Sequence, residues 1–255
     1  MEIRIDLVPL PLGSAARPTR AQHAATTTVV VDVLRAGTVA AHLLARGAAA
    51  VTVTPSVRAA RQYAAAAGAV LVGDVRGVPP EGFNHPATAR ALRTLDCVDR
   101  EVVLLPEDAA EALAAAEGRR LLAGFGNAVA VAEAALASDP KRVCVVCAGE
   151  HGQPDLADTV AAGVLLTLLE RSGRRRGAPP LAFAGAARYC LSVLRTTKDP
   201  LDAVWASSAG FELRGAGLEE DVAFASEIGS CAAVPTVERV EEAFGRPLAR
   251  LVSAR

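Results

Sequence analysis

Apolar runs rich in β-branched residues take turns with alanine-rich stretches of helical period along most of this chain. Strands are expected near 2–8, 27–33, 50–54, 69–73, 100–105, 119–124 and 141–148, and helices near 37–47, 56–67, 107–117, 127–138 and 155–171. Such alternation predicts an α/β fold, a layered αβα arrangement around a largely parallel or mixed sheet. The runs near 28, 70, 102 and 142 are continuously apolar, as strands buried on both faces must be. Each gives way to Gly, Pro or a polar turn. In open α/β sheets ligands bind outside the carboxyl ends of the strands, so these turns are where functional residues are expected.

The best linker is Arg171 to Pro180, RSGRRRGAPP, where a charge run meets Gly and two prolines. Its arginines read as a solvated helix end and loop. Beyond it the pattern turns more helical, at 181–197, 201–208 and 219–228, with a last strand near 231–237. Residues 1–255 read as a single unit, with a possible subdivision near 171–180 that would place a cleft between two subdomains.

With 51% hydrophobic residues, 22% charged residues and a net charge of -1, the chain has neither a basic field for nucleic acid nor an acidic tail. A small neutral or locally charged ligand is the expected partner. A homodimer is compatible with the class, although no residue requires one. The start, MEIRIDLVPLPLG, lacks a basic region followed by a long apolar one, which points to the cytoplasm. The longest apolar window, Val160 to Leu169, is far short of the roughly 18 to 20 residues that span a bilayer, so no membrane segment is expected. Five cysteines without framework spacing suit a reducing compartment. Cys144-Val-Val-Cys147 falls on an expected strand, where residues three apart face opposite ways, so the pair reads as core.

Four turns carry candidate chemistry. In TVVVDVLRAGT, Thr28 to Thr38, a buried strand runs out into Asp32 and Arg35. A carboxylate there must be hydrogen-bonded, paired or bound to a metal. It could cap the following helix or pair with Arg35, or it could be a metal ligand or base beside an arginine that clamps an anion with its planar fork. LVGDVRG, Leu71 to Gly77, repeats the theme with Asp74 and Arg76 and leads into a Pro- and Gly-rich loop that could shape a pocket. In LLAGFGNAVAVAEAAL, Gly124, Gly126 and Asn127 precede a helix whose amides could meet an anion, and Asn127 could equally be its N-cap. A dinucleotide fingerprint would want a small residue at Val129. In CAGEHGQPDLADTVAAG, a Gly-rich loop with Gly149, Glu150 and His151 precedes a helix carrying Asp155 and Asp158 in its first turn. The helix dipole accounts for Asp155; Asp158 sits among apolar neighbours, where a hard cation with oxygen ligands would explain it.

Taken together, the four stretches resemble the 2-phosphosulfolactate phosphatase family, whose members act in coenzyme M biosynthesis. VVVDVLRAGT is similar to the family's VVIDVLRAST, GFGNAVAVAE to its GSLLNA-AVA-like stretch, and VCAGEHGQPDLADTVAAG to its AG-x-x-G-x-x-x-x-ED-x-x-x-AG pattern. LRGAGLEEDVAFASEIGSCAAVP is similar to the family's ending. The resemblance implies Mg2+-dependent hydrolysis of a small anionic phosphate monoester, 2-phosphosulfolactate or a related phosphorylated hydroxy acid. Carried over residue by residue, it implies Asp32, Arg35 and Asp158 as catalytic residues. Arg35, Arg76, Gly126, Asn127 and Gly149 would bind substrate, and Asp32, Asp158 and Asp74 would hold the metal.

Departures from the family pattern fall on polar positions. Here GDVRGVPPEGFNHPAT stands for GERGG and GFD-x-GNSP, the T-T-N-G-T stretch is absent, and Ala157 stands where the family's glutamate precedes Asp158. They keep open a non-catalytic relative that binds a small anionic ligand. A third reading is an unrelated α/β dinucleotide-binding oxidoreductase using Gly124 and Gly126.

Overall fold

The chain is described here from a computed structural model that covers residues 2–6, 25–75, 78–105, 108–177, 183 and 185–254. Its strands are β1 (Glu2–Asp6), β2 (Thr26–Val31), β3 (Ala50–Val53), β4 (Val70–Gly73), β5 (Glu101–Leu105), β6 (Arg119–Ala123), β7 (Arg142–Cys147), β8 (Pro235–Ala243) and β9 (Arg246–Ser253). Its helices are α1 (Ala36–Ala45), α2 (Val57–Ala67), α3 (Ala89–Thr94), α4 (Asp108–Ala115), α5 (Ala128–Ala137), α6 (Leu156–Arg175), α7 (Ala186–Thr196), α8 (Pro200–Ala206), α9 (Ser208–Gly215) and α10 (Glu219–Ser226).

β2 shows why the sheet forms. All six residues of TTTVVV are buried, and β-branched side chains suit an extended, doubly covered strand. Val29 and Val31 enter one hydrophobic core with α5 and α6, while Val30 enters a second core with α1 and α4 on the other face. Each such valine contributes about 1.5–3 kcal/mol by leaving water. The αβα layering follows from those two faces.

The sheet order is β1-β7-β2-β6-β8-β9-β3-β5-β4. It contains two parallel blocks, β1-β7-β2-β6 and β3-β5-β4. Between them sits the antiparallel hairpin β8–β9, with β8 pairing to β6 and β9 to β3. The last segment of the chain thus stitches the halves into one mixed sheet. A two-residue turn, Phe244-Gly245, joins the hairpin strands, with both residues at positive φ (55° and 67°), as the right-handed twist of a tight hairpin favours.

Three elements differ from the sequence expectations. The last strand is this hairpin over 235–253 and not a single strand near 231–237. α3 and α9 fill segments left without an element. In addition, α6 runs through Arg175, so the first arginines of the expected linker are helical, while 178–182 lie outside the described residues. Cys144 and Cys147 lie on β7 outside any disulfide among the described residues, Cys147 buried with its Sγ donating to the Asp158 carbonyl oxygen at 3.6 Å. No helix among the described residues is long and apolar enough to cross a membrane.

One close approach sets the entrance to α1. A Cβ on Gly37 would lie 2.2 Å from the carbonyl oxygen of Ala123, so the missing side chain lets α1 start against the end of β6. Asp32, just past β2, donates its amide to that same oxygen and accepts from the Gly37 amide, both at 2.9 Å. Strand end and helix start are thereby locked into one turn.

Candidate active site

A cleft of about 430 Å³ opens where the ends of β2, β4, β5 and β7 meet the start of α4 and the flank of α9. It is walled by Asp32, Leu34 to Ala36, Asp74 with Val75, Ala87, Leu104 with Leu105, Asp108, Gly149 to His151 and Glu212. These are carboxyl ends of parallel strands, where the topology places ligands.

Asp32 is buried, 6% exposed, and faces the cleft with one oxygen. Its Oδ1 accepts the amide of Ala36, the first residue of α1, at 3.0 Å; Oδ2 has no hydrogen bond among the described residues. Burial pushes its pKa up to about 7, the charges of Asp108 and Asp155 add to the rise, and the Ala36 amide and Arg35 oppose it. Asp32 is therefore a carboxylate short of positive charge.

Arg35 turns away from Asp32. Its Nη2 donates to Asp74 Oδ1 at 2.7 Å, and Asp74 Oδ2 accepts the Ala87 amide at 3.1 Å. The Asp74 side chain is fully buried, which fixes the guanidinium plane. Nη1 of Arg35 is shielded from solvent and has no hydrogen-bond partner among the described residues, a donor left over in the wall of the cleft. Asp74 was expected as a metal ligand; its carboxylate is instead taken up by Arg35 and Ala87.

Asp158 is also expressed differently from the expectation. It is 4% exposed and does not line the cleft. Its Oδ1 accepts the Val33 amide at 2.8 Å and its Oδ2 the Gly149 amide at 2.9 Å, tying the turn after β2 to the turn after β7. Burial, then repulsion from Asp32 and Asp155, raises its pKa well above the usual carboxylate range. Gly149 lines the cleft, but its N–H is committed to Asp158 and cannot greet an anion.

Gly126 and Asn127 do not line the cleft. Asn127 is 1% exposed; its Oδ1 accepts the Gly124 amide at 2.9 Å, and its Nδ2 donates to the carbonyls of Leu122 (3.1 Å) and Ala233 (3.2 Å). Its hydrogen-bonding capacity goes to the protein itself, so the substrate-binding role expected for it gives way to a structural one. A Cβ on Gly126 would meet Ser230 Oγ at 3.1 Å, and one on Gly124 would meet Thr38 Oγ1 at 2.9 Å. Thr38 and Ser230 thus pack against the glycine turn, and neither Gly124 nor Gly126 lines the cleft. Arg76 lies outside the described residues.

Sequence reasoning missed Asp108 and Glu212, two carboxylates of the cleft wall. Asp108 opens α4, where an acid is unremarkable beside the helix dipole, and Glu212 sits on an ordinary charged helix face. Neither carries a local signal. The wall as a whole holds Asp32, Asp74, Asp108, Glu150 and Glu212 against Arg35 and His151. An anion enters such a cleft only if cations accompany it.

The residues fit a divalent ion at Asp32. A hard cation such as Mg2+ takes one or two carboxylates and completes its shell with water and phosphate oxygens, and Asp32 offers a cleft-facing oxygen in a site with an excess of negative charge.

Comparison with known proteins agrees with the residues. A model of the family described as 2-phosphosulpholactate phosphatase matches residues 15–239. Two relatives, each named "Probable 2-phosphosulfolactate phosphatase", come from Thermus thermophilus and Deinococcus radiodurans. The first is 34% identical over 249 residues, 95% of this chain and 98% of the relative. The second is 31% identical over 241 residues, 93% of each. The chain belongs to the 2-phosphosulfolactate phosphatase family.

Proposed function

We propose that the chain hydrolyses a small anionic phosphate monoester, 2-phosphosulfolactate or a related phosphorylated hydroxy acid, with Mg2+ held by Asp32. The observation that carries this reading is the pairing of two unmet needs at one cleft: a buried carboxylate whose charged form is disfavoured, and the Arg35 Nη1 donor, which has no acceptor among the described residues. A metal-bound phosphoryl group meets both. The cleft volume, about 430 Å³, suits a ligand of this size.

The chain's own residues divide the work. Arg35 directs its guanidinium at the phosphoryl oxygens, and Asp74 keeps it there; a preset fork costs no reorganisation when charge develops on those oxygens. Asp158 holds the turns that carry Asp32 and Gly149 in one register. When bound, the divalent ion neutralises phosphoryl charge and lowers the pKa of a water.

The test is phosphate release from a panel of small phosphomonoesters, with and without Mg2+, for wild type and Asp32→Asn. Release that requires the metal and is lost in the variant is the expected result. Saturable binding of the same esters without release by wild type would make the chain a non-catalytic member of its family.

A further inference from the structure

The loop after β7 and the flank of α9 bring a second set of donors to the cleft, apart from Asp32. Glu150, His151 and Glu212 each offer a ligand atom, and these three atoms lie within 4.8 Å of one another. Oε2 of Glu150 is shielded from solvent and has no hydrogen-bond partner among the described residues, which is costly for a carboxylate oxygen unless something positive approaches it. Glu212 and Asp155 face Glu150 with like charge, and Asp108 adds to them; His151 is the one group among these that counters it. Burial and this crowding push the Glu150 pKa up to about 7.

The donors are held in place by the protein. Glu150 and Gln153 exchange backbone hydrogen bonds at 2.9 Å, which closes the loop. The His151 amide donates to Asp108 Oδ2 at 3.0 Å, fixing the loop to the start of α4. On the other side, Asp155 Oδ2 accepts the Ser208 amide at 3.2 Å, so the first residue of α9 is tied to the start of α6. Glu212 is thereby presented to the loop by a helix anchored one turn away.

We propose that Glu150, His151 and Glu212 bind a first-row transition-metal ion at the rim of the cleft, in addition to the hard cation expected at Asp32. Two carboxylates and an imidazole are borderline donors that favour Zn2+, Co2+ or Ni2+ over Mg2+. Three protein ligands leave coordination positions for water or for an anionic group of a ligand in the cleft. The inference rests on the rim donors and does not require that Asp32 hold Mg2+.

Titration with Co2+ in excess Mg2+, followed by visible absorption, tests it. Magnesium occupies oxygen sites, so cobalt reports the imidazole-containing one. Wild type should take up one equivalent with ligand-field bands, Asp32→Asn should keep that uptake, and His151→Ala and Glu212→Gln should each weaken it by at least about tenfold. Both replaced side chains are exposed, and thermal unfolding of the variants checks that they remain folded. No uptake by wild type in excess Mg2+, or an unchanged affinity and spectrum in the His151→Ala/Glu212→Gln double variant, overturns the proposal. Loss of uptake in Asp32→Asn alone would put the cobalt at Asp32, which ends the rim site and leaves the phosphatase reading intact.

Discussion

Two neighbouring strands of the sheet end in turns of the same kind, and the turns do opposite things. After β2, Asp32 and Arg35 leave an oxygen and a guanidinium nitrogen unmatched at the cleft. After β6, the Asn127 side chain makes three hydrogen bonds within the protein, and Thr38 and Ser230 stand where side chains on Gly124 and Gly126 would go. Both turns join a buried strand to an alanine-rich helix. What separates a site from a joint is whether the polar groups have already been satisfied from within.

The contrast predicts mirror-image phenotypes, beginning with the largest effect. Asp32→Asn should lower kcat/KM by about a thousandfold, because the charge proposed to hold the metal disappears while the bond to Ala36 survives. The same variant should be at least as stable as wild type, since an uncompensated buried charge is gone. Arg35→Lys comes next, with a loss in kcat/KM of about a hundredfold and weaker inhibition by inorganic phosphate, because an ammonium cannot engage Asp74 and a phosphoryl group as a fork.

Asn127→Ala should behave the other way. It strands the Gly124 amide and the carbonyls of Leu122 and Ala233 in a dry interior, a cost of about 2–4 kcal/mol by urea unfolding. Turnover per folded molecule should stay within about twofold of wild type. A thousandfold loss of turnover in a folded Asn127→Ala protein would erase the distinction between the two turns.

The acid dependence of stability sharpens the same comparison. The Asp32 pKa is raised from 3.8 in the unfolded chain to about 7 in the folded one, so the folded state holds the proton more tightly. Its stabilising contribution is full below about pH 4 and is lost as pH rises through 7. In metal-free buffer, the stability of wild type relative to Asp32→Asn should therefore fall between about pH 4 and 7, by an amount on the order of a few kcal/mol, and level off above. Under the proposed function, Mg2+ would bind the ionised form and should flatten the fall. Parallel pH profiles for the two proteins would show that Asp32 is not the strained carboxylate.

The β2 turn was legible because its signal is local: six buried residues run straight into two charges that must find partners. The layered αβα sheet was legible for the same reason, from doubly buried strands and helical alanine runs. The β6 turn misled, because Gly-x-Gly-Asn before a helix looks alike whether its groups face a ligand or the protein. What decides the matter is Ser230 and the Ala233 carbonyl, which arrive about a hundred residues later. The hairpin was hidden by charge, since Glu238, Arg239, Glu241 and Glu242 interrupt the apolar pattern of β8 where its residues face solvent. The partnership of Arg35 with Asp74 could not be read either; it joins the turns after β2 and β4, 39 residues apart and not neighbours in the sheet.

The smallest predicted effect is the most discriminating. Gly126→Ala adds one methyl to the turn that was expected to bind substrate. Its φ lies outside the left-handed region, so the backbone tolerates alanine, and the new Cβ meets side-chain atoms at 3.1 Å (Ser230 Oγ) and 3.4 Å (His42 Cε1). Small shifts of those side chains suffice, and the cost should be below about 1 kcal/mol, or about 2–4 °C in Tm at this chain length. Because no part of the turn lines the cleft, kcat/KM should not move. A tenfold loss of phosphate affinity at unchanged Tm would mean that an anion approaches the Gly126 amide after all, and the two turns would then belong to one site.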